Sequence, residues 1–134
     1  MKPEAHLDKA RRIERTLERL RPSDYEIRID GAMLAANHYA NLALHALGLV
    51  PVDRDMIHTE FLRVIDLVRF EVAAKPLLEA LEGIEELRAP YVRGGAPNGE
   101  AAGERALHLL DIVRREALAA RPIGYPIVNY VPKT

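Results

Sequence analysis

GAMLAANHYANLALHALGL, residues 31–49, is the stretch on which the fold turns. It places alanine, leucine, methionine and tyrosine around most of a helical circumference and leaves a single polar sector. At roughly 100° per residue, with Asn37 as zero, Asp30 falls near 20°, Asn41 near 40°, His45 near 80° and His38 near 100°. A helix with that wheel is covered by other helices on most sides and keeps one polar strip.

The flanking sequence supplies those other helices. EAHLDKARRIERTLERL, residues 4–20, carries Leu7, Ala10, Ile13, Leu17 and Leu20 at three- and four-residue steps, which makes one narrow apolar stripe on a charged helix. Pro22 and Ser23 end it, and Ser23 or Asp24 can cap the next helix. That second helix runs to about Leu47, where Gly48 can take the left-handed closing conformation and Pro51 prevents continuation. A third begins after Asp53 or Asp55 and reaches about Leu87, with Ile57, Phe61, Val64 and Val68 on one stripe and Leu77, Leu81 and Ile84 on the next. Pro76 interrupts it, as a kink or as a break into two helices. APYVRGGAPNG, residues 89–99, reads as a plain loop, with Asn98 as the cap of a fourth helix from Gly99 to about Ala120. Ala106, Leu110, Val113 and Ala117 would face inward there.

The pattern predicts an all-α, up-and-down four-helix bundle over residues 1–120, with five helices if Pro76 breaks the third. The remainder, RPIGYPIVNYVPKT (121–134), holds three prolines among Tyr125, Ile127, Val128, Tyr130 and Val131. It is expected to lie extended, packed on the bundle or on a second subunit.

Composition narrows the function classes. The 134 residues suit one domain, and 49% apolar with 29% charged residues is a globular balance. No cysteine is present, which removes disulfides, thiolate metal sites and a cysteine nucleophile. The start, MKPEAHLDKARRIER, is charged throughout, and no apolar run approaches the roughly 20 residues that cross a bilayer, so a cytoplasmic protein without membrane contact is expected. Nineteen basic against twenty acidic side chains give a net charge of −1, without the basic excess of a nucleic-acid binder.

The strip of Asn37, His38, Asn41 and His45 has two readings. It is the exposed edge of the second helix, or it is the polar wall of a ligand pocket between helices. Imidazoles seven residues apart stand two turns, or about 10 Å, from each other, so His38 and His45 cannot share one ion. Carboxylate-bridged di-metal bundles need Glu-x-x-His on two helices, and the chain has none. Neither a metal nor another cofactor is therefore expected. His58 and Glu60 open the third helix, while Glu104 with His108 and Asp111 with Arg115 read as surface pairs four residues apart. GAPNG and RGG lack the strand and lysine of a phosphate loop, and Ser23, the sole serine, suits a cap, so no catalytic residue is expected.

The order of features resembles the HEPN superfamily (higher eukaryote and prokaryote nucleotide-binding domains). A charged first helix is followed by GAMLAANHYANLALHALGL, by a long third helix, and by LRAPYVRGGAPNGEAAGERALHLL, so the resemblance spans about residues 4–120. It implies a bundle whose active members are ribonucleases that set an arginine and a histidine with four to six residues between them near the final helix, across a dimer interface. Arg88 matches the arginine, but Arg93 stands five residues later, and the loop holds Tyr91 where no histidine occurs. Arg54 and His58 are one residue too close and on another helix. The resemblance thus implies the scaffold without the nuclease pair: a non-catalytic protein acting as a homodimer or on a protein partner, with an anion or nucleotide corner at Arg88, Tyr91 and Arg93. The competing expectation is the inter-helix pocket of His38, Asn41 and His45.

Overall fold

A computed structural model describes residues 1–56 and 64–120. Its helices are α1 (Pro3–Leu17), α2 (Tyr25–Ala46), α3 (Val64–Leu87) and α4 (Gly99–Ala119), with no strand among the described residues. The all-α four-helix architecture is as the spacing predicts. The expected stripe residues Ile57 and Phe61, the pair His58 and Glu60, and the 121–134 tail lie outside the described residues.

α1 begins on Pro3, in the first turn where the missing N–H would have had no helical partner. Its fully buried residues are His6, Ala10 and Leu17, with Leu7 and Ile13 packed half-buried against the core. α2 follows Asp24, whose carbonyl accepts the Arg28 N–H at 3.0 Å. The Asp24 carboxylate does not cap the helix; it turns back to accept the Arg21 N–H at 2.9 Å. At the far end Gly48 has φ +73°, as expected, because the Gly48 N–H donates to His45 and the Leu49 N–H to Leu44 across a left-handed residue.

Pro76 leaves α3 as one interrupted helix. Ala74, at φ −149° and ψ 49°, takes up the break, so Pro76 falls in the first turn of the second half, where its ring meets no preceding carbonyl. The expectation of a plain loop after Leu87 needs correction: Arg88–Arg93 continues as a π-helical turn. Pro90 has no N–H for the carbonyl one turn back, which favours the wider winding. Asn98 does precede α4, but in the left-handed region at φ 67° and without a side-chain cap.

α2 is the central helix. It packs against α1 and α4 and more lightly against α3, which lies chiefly on α4. Tyr39, Phe70, Ile29, Leu44, Leu77, Leu81, Ile84 and Val113 fill the interior, and the alanines of α2 let neighbours approach. The Tyr39 hydroxyl donates to Glu14, whose other oxygen accepts Arg114 at 2.6 Å, which satisfies a buried phenol between α1, α2 and α4. Ile27 and Leu34 on α2 and Val68 and Val72 on α3 stay exposed. No described helix is long and apolar enough to cross a membrane.

Candidate metal centre

The polar strip of α2 is divided by its neighbours. Asn37 and His38 are half-buried, whereas Asn41 is sealed in the interior and the His45 side chain has no exposed surface. The residue that completes the arrangement comes from α1. His6 shares the buried face with Ala10 and Leu17, and its side chain is only 2% exposed. The third contributor, Asp55, stands in the connection that follows α2.

Three donor atoms converge there. His6 Nε2 lies 2.9 Å and His45 Nε2 3.1 Å from the same oxygen, Asp55 Oδ1, and all three atoms fall within 4.8 Å of one another. The Asp55 side chain keeps 30% exposure, so the cluster has two enclosed imidazoles and one mouth toward solvent. The Met1 amine also stands 3.2 Å from both Asp55 oxygens.

Each of the two enclosed rings is held from behind. His45 Nδ1 donates to the Val50 carbonyl at 2.9 Å, a carbonyl placed by the Gly48 turn. A carbonyl can only accept, so in the neutral ring His45 Nε2 turns a lone pair toward Asp55. Two lone pairs at 3.1 Å repel unless a proton or a cation lies between them. His6 Nδ1 lies 3.0 Å from His38 Nδ1, and the two rings tilt by 47° with centroids 5.2 Å apart. With the proton on His6 Nδ1, His38 is its acceptor and His6 Nε2 is free to ligate. Both imidazoles thus have the outer partner that fixes tautomer and ring orientation in protein metal sites.

The electrostatics of His6 and His38 favour the neutral ring. Burial lowers the pKa of His6 against the opposing pull of Asp55, and burial with the charges of His6 and Lys9 lowers that of His38. Burial alone would raise Asp55, but the hydrogen bonds it accepts from His6 while no ion occupies His6 Nε2, and from the Met1 amine, outweigh it and hold the carboxyl at about 2. Neutral imidazole and ionised carboxylate are the forms that bind metal.

Zinc–nitrogen and zinc–oxygen bonds of about 2.0–2.2 Å put tetrahedral ligands about 3.3 Å apart. The two separations from Asp55 Oδ1, 2.9 Å to His6 Nε2 and 3.1 Å to His45 Nε2, need only a few tenths of an ångström to reach that. The expectation of no metal rested on the spacing of His38 and His45 along one helix and on the absence of Glu-x-x-His; the structure brings His45 instead beside His6 of another helix. His38 stands behind His6, ring nitrogen to ring nitrogen at 3.0 Å. Asn41, expected on a pocket wall, instead binds backbone: its Nδ2 donates to the Met56 carbonyl at 2.8 Å and its Oδ1 accepts the Met56 N–H at 2.6 Å. Asn37 accepts from the same Nδ2.

The Arg88 corner is separate. Arg88 Nε donates to Asp30 Oδ1 of α2 at 2.9 Å, so its charge is already matched, while Tyr91 packs half-buried on the core and Arg93 is exposed. Of the expected surface pairs, Arg115 meets Asp111 at 3.1 Å, whereas Glu104 reaches across to Arg28 at 2.7 Å. His6 had a legible signal, since it stands four residues before Ala10 on the α1 stripe, but its partners on α2 and beyond could not be read from that helix. Among known proteins, no family model, no curated protein and no solved structure matches the chain.

Proposed function

We propose that this protein is a metal-binding helical bundle that holds one divalent transition ion of the zinc class through His6 Nε2, His45 Nε2 and Asp55 Oδ1. The observation that carries the reading is the convergence of three donors from three separate chain segments, two of them imidazoles with outer partners already in place. Two nitrogens and one carboxylate oxygen favour Zn(II), Co(II), Ni(II) or Fe(II) over calcium and magnesium, which take all-oxygen sets. Three protein ligands leave a coordination position open on the solvent side of Asp55, as in sites where a metal binds water or a small ligand.

The test is a cobalt titration of chelator-treated protein, followed by zinc competition. One ion per chain with a visible spectrum of low coordination number is expected. His6→Ala and His45→Ala should each weaken binding by at least about 100-fold, while His38→Ala should weaken it by only about 10-fold. An unsubstituted protein that takes up neither ion overturns the reading.

A further inference from the structure

The metal reading leaves open what holds Asp55, the one ligand that belongs to no helix. Asp55 lies between Pro51, whose carbonyl accepts the Arg54 N–H at 3.1 Å, and Met56. Its carboxylate is partly exposed, and a carboxylate on a free connection would be pulled out by water. The neighbouring Met56 is only 3% exposed, so its backbone N–H and carbonyl leave water at that point and need partners. Asn41 supplies both, through a carboxamide that is 1% exposed and that closes a two-point bracket on one residue. The remaining Nδ2 hydrogen is shared by the Asn37 carbonyl and Oδ1 at 2.9 and 3.0 Å, so the amide cannot rotate without breaking a buried bond.

We infer that Asn41 is the positioning residue of the metal centre: by bracketing the Met56 backbone it holds the adjacent Asp55 carboxylate over His6 and His45. The inference rests on the metal reading above. The register of α2 supports it. Asn41 stands one turn before His45, so the same rigid helix carries a ligand and the clamp for the loop-borne ligand. A buried asparagine whose only task was to satisfy a loop would act on stability alone. A positioning residue acts also on affinity for the ion.

The experiment compares Co(II) and Zn(II) affinity and the cobalt absorption spectrum in the unsubstituted protein, Asn41→Leu and Asn41→Asp, with circular dichroism recorded below each melting point. Asn41→Leu removes both contacts at nearly constant volume. It is expected to keep its helical signal, to bind zinc about 10–100-fold more weakly, and to shift the cobalt spectrum toward higher coordination as water replaces the carboxylate. Asn41→Asp keeps an acceptor for the Met56 N–H and loses the donor to its carbonyl, so a smaller loss in the same direction is expected. Should Asn41→Leu fail to fold, Asn41→Asp alone decides the matter. A folded variant with unchanged affinity and spectrum overturns the role of Asn41 while the metal reading stands, whereas no binding by the unsubstituted protein overturns both.

Discussion

His6 shows how a single position can be informative and still escape notice. It falls on the α1 stripe, yet the sequence around it is so charged that the ring passes for one more polar residue. Helical periodicity orders residues within an element and says nothing of which faces meet, so His45 was legible as polar and its partners His6 and Asp55 were not. The same cluster makes stability depend on pH. His6 and His38 have folded pKa values below the ordinary 6.5, so below that pH the unfolded chain binds more protons than the native one. Stability of the chelated protein should therefore be flat above about pH 7 and fall from there toward pH 5 as the unfolded rings charge. Asp55 adds a second loss at lower pH. Its contribution is present above the unfolded value of 3.8 and disappears as pH falls through about 2. Thermal melts in chelator across pH 2–8 check both losses, and a melting point that rises on acidification from pH 7 would contradict the first.

Helices, the glycine ending of α2 and the proline break were the most legible features, because they depend on local chemistry, whereas neither Asp24 nor Asn98 makes the expected side-chain cap. The Gly48 ending of α2 and the interruption at Pro76 follow from residues that tolerate few backbone states. The π-helical turn at Arg88–Arg93 was not legible, since Pro90 and the following glycines signal a loop equally well. Close approach between helices also escapes a one-dimensional reading. Gly99, at the start of α4, has no room for a side chain: a Cβ there would lie 2.3 Å from the Tyr25 ring of α2, and a ring cannot yield as a flexible chain end does. Gly99→Ala should destabilise by about 1–3 kcal/mol through that overlap. Gly48→Ala meets no neighbour but must hold a left-handed φ, and about 1–2 kcal/mol is expected. Urea unfolding measures both losses. Gly48→Ala should also weaken zinc binding, because its turn places the Val50 carbonyl behind His45, whereas Gly99→Ala, on the α4 side, should leave affinity within about twofold.

For the molecule as a whole, the centre adds a tie between α1 and α2, which also pack on each other, and fastens to them the connection that follows α2. The start of α1, the end of α2 and the connection after it meet at His6, His45 and Asp55, while α4 contributes no ligand. An ion bound there ties the first turns of α1 to the far end of α2 and favours the folded chain by mass action, worth about 2.7 kcal/mol when free zinc is 100 times its dissociation constant. At about 3 °C per kcal/mol for a domain of this size, the melting point should rise by about 8 °C. The distribution of that gain is the sharper expectation. Amide exchange should slow most in residues 3–10 and 48–56, where opening separates the ligands, and little in residues 104–117 of α4, whose opening leaves the ion in place. The His6→Ala protein should show neither the thermal shift nor the regional protection. Uniform slowing along the chain would mean that exchange in α4 passes through global unfolding. In that case the ion stabilises the bundle as one cooperative unit, and the local staple between α1 and α2 is refuted.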